Sequence, residues 1–325
     1  MKPIKTSLVS LLLLILFIVV FFMSISFGAV SISLGEILQS ALGEGSDVNH
    51  QILWNIRLPR TLVASLVGAA LALSGCILQA IMRNPLATPN IIGVTSGAGL
   101  SALTILILFP ASYQLVPAGA FVGALIATLF IYSLAWKDGI LTHRLVLAGV
   151  AVSSILSAGN NILLSFYPDR VSGVVNFMIG GLGGTNWRHV QMIVPYIMVA
   201  GVMSIIFRDQ LNLLVLGDEV ATGLGVPVER IRGLFIVTSS VLAGAAVSAV
   251  GLLGFVGLIV PHMSRFFLGH DYKKTIPGVI LVGATVLMGA DLISRVIFAP
   301  VEIPVGIVMS LSGGPFFLYL LRRKL

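Results

Sequence analysis

Ser154, Ser157, Asn161 and Ser165 follow one another at intervals of three, four and four residues inside an otherwise apolar run. That spacing puts the four polar side chains on one face of a helix. Polar groups inside a membrane need partners or water, so the stripe suits either a wet translocation path or hydrogen bonding between helices. Other kinds of chemistry lack their residues. His50, His143, His189, His262 and His270 are scattered, with no H-E-x-x-H pair for zinc and no G-x-S-x-G elbow for a nucleophile. No Gly-Lys dipeptide occurs, so the phosphate-cradling loop G-x-x-x-x-G-K-S/T is missing and any ATP must be bound by another chain. The twelve acids lie in loops or near the ends of apolar runs, Asp291 and Glu302 being the nearest to an interior. Asp291 stands four residues before Arg295, a helical salt-bridge spacing that favours a structural pair. An ion-coupled carrier instead needs an ionisable group near the midplane.

These residues must be carried by membrane helices. Of 325 residues 57% are hydrophobic and 10% charged, and the mean hydropathy is +1.07. A helical span takes about 20 apolar residues. Runs near 7–27, 61–82, 91–109, 116–136, 145–166, 190–207, 234–256, 277–298 and 304–321 meet that requirement, and a shorter run near 255–268 makes ten. The expected fold is an all-α polytopic membrane protein. The first run follows Lys2 and Lys5 without a clean A-x-A cleavage site, so it reads as a retained span and not a signal peptide. With both termini cytoplasmic, Lys2, Lys5, Arg83, Lys137, Arg144, Arg208, Arg230, Arg232, Arg265, Lys273, Lys274, Arg322, Arg323 and Lys324 all fall on the cytoplasmic side, as the positive-inside rule requires. The net charge of +7 thus reflects orientation in the membrane and gives no reason to invoke nucleic acid. Cys76, the single cysteine, reads as a packed small hydrophobe.

Leu66, Gly68-Ala69-Ala70, Gly75, Pro85 and Gly93 recur 176 residues later as Leu242, Gly244-Ala245-Ala246, Gly251, Pro261 and Gly269. An odd number of crossings separates the two copies, which predicts an inverted repeat of spans 2–5 (about 57–166) and 7–10 (about 232–322) within one domain, 1–325. Its 35 glycines, interleaved with Ala and Ser, allow close helix packing in lipid. Residues 31–56 form an outer polar stretch with Glu36, Glu44 and Asp47, after which Arg57-Leu58-Pro59-Arg60 opens the second span with its arginines facing the outer surface. Gly180 to Trp187 forms another outer break, with Trp187 at the interface. The cytoplasmic stretch 208–232 has room for two short helices separated at Gly225 and Pro227.

Taken in order, Arg57-Leu-Pro-Arg60, the block from Gly68-Ala-Ala to Asn84-Pro85-Leu86-Ala87, Asn90-Ile-Ile-Gly93-Val94 and Gly254-Phe-Val-Gly-Leu-Ile-Val-Pro261-His262 resemble the iron-siderophore, haem and cobalamin permease family, FecCD-type. Ala290-Asp-Leu-Ile-Ser-Arg295, Glu302-Ile-Pro304 and Gly313-Gly-Pro315-Phe316 extend that resemblance over nearly the whole chain. It implies the membrane subunit of a type II ABC importer in a bacterial cytoplasmic membrane, working as a dimer with itself or a homologous permease. Two ATP-binding subunits would supply ATP and Mg hydrolysis chemistry, the chain itself having no cofactor and no metal, and an extracytoplasmic binding protein would deliver cargo. Family positions imply that Arg57, Arg60 and Arg295 engage the binding protein. Asp218, Glu219, Ala221, Leu224 and Gly225 match the coupling helices that dock on the ATPase. The route follows the dimer axis along spans five and ten, which assigns it Ser154, Ser157, Asn161 and Ser165 and, more weakly, Ser310 and Ser312. Ferric siderophore is the expected cargo, with haem or cobalamin as alternatives. An ion-coupled secondary carrier and an intramembrane enzyme are the readings from other classes.

Overall fold

The computed structural model describes residues 6–28, 32–41, 47–137, 139–140 and 142–324. Lys2, Lys5 and Glu44 lie outside them. Among the described residues the fold is helical, and the long apolar runs dictate it, since a chain in lipid must satisfy each backbone N–H and C=O internally. The first segment holds α1 (Thr6–Ser26), α2 (Leu34–Ala41) and α3 (Asp47–Gln51), followed by α4 (Leu58–Ile81), α5 (Val94–Leu108), α6 (Val116–Ala135) and α7 (Thr142–Phe166). After α8 (Val171–Ile179) and α9 (Trp187–Ile206) come two short helices, α10 (Arg208–Val215) and α11 (Asp218–Gly223). The chain ends with α12 (Val228–Val250), α13 (Val256–Leu268), α14 (Tyr272–Val296) and α15 (Val305–Lys324). Seven helical stretches are long and apolar enough to cross a membrane, and α5, α13 and α15 are shorter apolar helices. All ten coincide with runs read from the sequence.

Boundaries moved where local chemistry overrode hydropathy. Pro59 lacks an N–H and its ring crowds the carbonyl four residues earlier. The chain nevertheless stays helical across it: a π-turn, Ile52–Arg57, joins α3 to α4, so helix runs from Val48 to Ile81. Arg57 and Arg60 are therefore inside a helical run and not at its start. The third span begins at Val94 instead of Ile91, because Gly93 adopts φ +76 in front of it. In the 208–232 stretch the two short helices are separated at Gly217, and Gly225 and Pro227 separate α11 from α12.

Helices α4 and α12 are the centre of the bundle, with 78% and 72% of their apolar windows buried, against 17% for α7. Small residues permit this. A methyl group on Gly68 would run into the Gly283 carbonyl on α14, and one on Gly75 into the Gly257 carbonyl on α13. Across the same centre Ser74 donates to the Ser239 carbonyl at 2.8 Å. Arg60 meets Asp291 near one end while Gly68 meets Gly283 deeper in, so α4 and α14 are antiparallel.

The sequence offset of 176 is not a structural register. Gly75 lies within α4, but Gly251 closes α12 with φ +77. Pro85 follows α4 whereas Pro261 is inside α13, and Gly93 precedes α5 whereas Gly269 follows α13. Both stretches carry the small residues that tightly packed central helices need.

Caps fix the outer and inner helix ends. Asn186 and His189 form a capping box at the start of α9. Ser33 and Glu36 form another before α2, with Glu36 accepting from the Ser33 N–H at 2.7 Å, and this bond first of all lowers the Glu36 pKa. Asp271 caps α14, accepting from the Lys273 N–H at 3.0 Å and from Asn212 Nδ2 at 2.9 Å. The first of these bonds is the main cause of its lowered pKa. A lowered folded-state pKa gives stability that is present above the unfolded value and lost as pH falls through the folded one. Asp271→Ala should accordingly cost on the order of 1 kcal/mol or less at neutral pH. Thermal unfolding in detergent should show that difference shrinking as pH is lowered through the aspartate range; a difference independent of pH would refute the cap's contribution.

Candidate docking, coupling and translocation sites

At one end of the bundle, Arg57 and Arg295 converge on the C-terminus of α1, and Arg60 joins Arg295 on Asp291. Arg57 donates to the Ile25 and Ser26 carbonyls at 2.8 and 2.7 Å. Arg295 donates to the Ser24 and Phe27 carbonyls at 3.0 and 3.1 Å and to Ser24 Oγ at 2.9 Å. The last carbonyls of a helix have no intrahelical donors and carry its negative pole, so two guanidinium groups are well matched to them. Arg60 pairs with Asp291 at 2.9 Å and with Glu302 at 2.7 Å, and Arg295 pairs with Asp291 at 3.0 Å. Asp291 is fully buried and accepts from both arginines, so the expected i,i+4 pair is one edge of a larger network. Arg57, Arg60 and Arg295 are 5%, 8% and 3% exposed. The expectation that Arg57 and Arg60 face the surface is corrected: helix continues through the π-turn and carries both into the bundle, where Arg57 bonds α1 and Arg60 bonds Asp291 and Glu302.

Beside this network lies an outer cavity of about 870 Å³ between the outer ends of α6, α8, α9 and α12 and the 302–304 segment. Arg60, Tyr113, Asn176, Arg188, His189 and Glu302 are among its polar lining. Sequence reading did not single out Arg188 or Asn176. The available signal was their position beside the Gly180 to Asn186 break, which leaves room for a vestibule.

At the opposite end, α11 is held from behind and open in front. Ala221 is fully buried against the bundle, which makes it an anchor and not a contact for another chain. Glu219 and Gly225 are exposed, as are Leu216, Val220 and Leu224 at 60%, 49% and 60%. Leu216 lies outside the coupling pattern read from the sequence, because an apolar residue in an apolar chain carries no signal until its exposure is known. Gly225, at φ +83, ends α11 with the Val226 N–H bonded to the Ala221 carbonyl and its own N–H to the Thr222 carbonyl. That is a Schellman cap. The same two bonds end α4, from Asn84 to Gln79 and from Arg83 to Ala80, but there the left-handed residue is Arg83, φ +47. A side chain at such a position costs about 1–3 kcal/mol relative to glycine, and this one directs a guanidinium at Asp218, 3.7 Å away.

The polar stripe of α7 is open. Ser154, Ser157, Asn161 and Ser165 are exposed, on a helix that packs against α5 and α6. Ser310 and Ser312 of α15 are exposed as well. Ser154 and Ser312 donate back to the carbonyls of Val150 and Val308 at 2.8 Å, which spares them a partner without removing their polarity. Roughly a quarter-turn round the helix from the stripe, Ser153 Oγ and Asn160 Oδ1 are buried without partners among the described residues. The structure does not bring the stripe, the outer arginines and α11 together: they occupy the middle and the two ends of the molecule.

This is the architecture of a multi-pass membrane permease, with a vestibule at one end, an exposed polar helix face and a short helix with exposed apolar residues at the other end. The chain belongs to the FecCD transport family, which matches residues 15–323. It is 38% identical to the Fe(3+)-citrate import system permease protein YfmE of Bacillus subtilis over 96% of this chain and 94% of that one. It is also 38% identical, over the same shares, to the hemin transport system permease protein HmuU of Yersinia pestis. A solved chain described as a metal-chelate type ABC transporter in an inward-facing conformation superimposes with a TM-score of 0.86 at 30% identity, covering 97% of this chain and 99% of that one. The protein is thus an ABC importer permease subunit and not an enzyme. Permease subunits of this class carry no cofactor, ATP and Mg acting on the partner ATPase. The ion-coupled carrier and the intramembrane enzyme fall with that assignment.

Proposed function

We propose that this permease passes ferric siderophores across a bacterial cytoplasmic membrane, as one of two permease copies joined to two ATP-binding subunits and fed by an extracytoplasmic binding protein. The observation that carries the reading is the exposed polar face of α7. A row of hydroxyl and amide groups on a membrane helix is costly against lipid and is satisfied if a second permease closes a hydrated passage along it, with Ser310 and Ser312 of α15 contributing. Ten crossings in two inverted halves, 57–166 and 232–322, then leave both termini cytoplasmic, in agreement with the distribution of Lys and Arg. The ATPase docks on α11 through Glu219, Val220 and Leu224, within the coupling segment 208–232. The binding protein docks on the outer face, which Arg57, Arg60 and Arg295 shape by tying α1, α4 and α14 together. Iron chelate is preferred as cargo because the iron-citrate permease is similar over 96% of this chain. The hemin permease, equally similar, makes haem the second reading.

Uptake of labelled ferric siderophores, haem and cobalamin should be compared in cells with and without the gene, with ATP depleted or an ionophore added. Loss of ATP-dependent ferric siderophore uptake alone is the expected result; loss of haem or cobalamin uptake instead would overturn the cargo. Glu219→Arg should weaken ATPase association in pull-down while the permease stays folded, and undiminished association would refute docking at α11.

A further inference from the structure

Arg232, in the first turns of α12, is buried and makes three bonds to three different segments. Its Nη2 pairs with Asp218 Oδ1 of α11 at 2.7 Å. Its Nη1 donates to Glu229 Oε1 at 2.8 Å and to the Ile140 carbonyl at 2.9 Å. Glu229 accepts in turn from the Ile140 N–H at 3.0 Å, so both backbone groups of Ile140 are taken by one pair of side chains. Ile140 stands two residues before the start of α7, the helix that carries the polar stripe. On its other side Asp218 faces Arg83 in the left-handed turn that ends α4. The backbone supports the same junction. Gly139, at φ +126, and Gly217, at φ +115, lie where an added side chain would press on Glu229 and on Arg83.

We propose that Arg232 is a positioning residue that makes α11, the start of α12 and the entry to α7 one rigid body, with Arg83 joining the end of α4 to it through Asp218. The inference rests on the reading of α11 as the ATPase-docking helix. Its consequence is specific: displacement of α11 by the partner reaches the start of α7 directly, through two charged contacts and a backbone clamp, without passing through the length of α12. A neutral side chain at 232 loses Asp218 and Ile140 together, because one guanidinium serves both.

The test uses the full chain assembled with its ATPase subunits in liposomes, spin-labelled at Thr222→Cys on α11 and at His143→Cys on the first turn of α7. The label-to-label distance is measured without nucleotide and with ATP and vanadate. With Arg232 present the distance should stay narrow and unchanged between the two states. Arg232→Gln should broaden and shift it on adding nucleotide, and Arg232→Lys, which keeps the charge but not the fork, should give an intermediate distribution. Asp218→Asn, at a partly exposed site, cuts the same link and replaces Arg232→Gln if that variant does not fold. An unchanged distance in Arg232→Gln or Asp218→Asn would overturn the proposal. Failure of the docking reading is separable: in that case Glu219→Arg leaves ATPase association intact, whereas failure of the clamp alone leaves that association sensitive to Glu219→Arg while the distance in Arg232→Gln stays unchanged.

Discussion

Arg60→Ala should lower the stability of the purified permease by about 3–5 kcal/mol, the cost found when one member of a buried ion pair is removed. Asp291 has no exposure and receives Arg60 through both Nε and Nη2, with Arg295 as its other partner. Deleting Arg60 leaves that carboxylate with half its donors, and Glu302 loses its partner as well. Replacing both members, Arg60→Met with Asp291→Leu, should recover less than it would for an isolated pair, because Arg295 then loses its buried carboxylate and Glu302 its guanidinium. Thermal unfolding in detergent reads both variants. The comparison also distinguishes a docking surface from a structural brace. If Arg57→Glu with Arg60→Glu weakens the binding protein's attachment while unfolding and ATPase association stay as in the parent, the arginines act directly on the partner. If stability and ATPase association fall with it, they act by holding α1 to α4 and α14, which the burial of all three guanidinium groups predicts.

Gly75→Val should be severely damaging, leaving little folded protein. The obstacle to a side chain at 75 is the Gly257 backbone of α13 and not a movable side chain, so the two helices must separate. Overpacking costs about 1–3 kcal/mol where side chains can adjust, and more is expected where only backbone can move. Gly68→Val, against Gly283 of α14, should behave alike. Gly201 supplies the control, since nothing lies within 4 Å of a methyl group there. Gly201→Ala in mid-helix α9 should be neutral or stabilising by about 0.4–1 kcal/mol. Folded yield by size-exclusion chromatography and the unfolding midpoint decide the matter; a Gly75→Val protein with parental yield and midpoint would refute the backbone contact.

Ten helices, their order and the membrane class were written in the sequence, because a hydrocarbon solvent leaves an apolar run of about 20 residues few conformations besides helix. The Asp291–Arg295 pair was legible for a similar reason: both partners sit on one helix, and 3.6 residues per turn fixes their meeting. So was the polar stripe of α7, whose four residues share a face by spacing alone. Everything that depends on contact between helices was decided by the tertiary structure. Arg57 and Arg60 looked like surface charges because a proline between them marks a helix start, and only packing showed that the helix continues through a π-turn and takes them inside. The 176-residue offset did not carry over as a register, because small residues recur wherever helices pack closely. Arg232 gave no sequence signal, since Asp218 and Ile140 are 14 and 92 residues away from it and become its neighbours only when the chain has folded. Local periodicity is a property of the chain; which face meets which partner is a property of the packed bundle, and the charged groups at both ends of this permease take their roles from the packing.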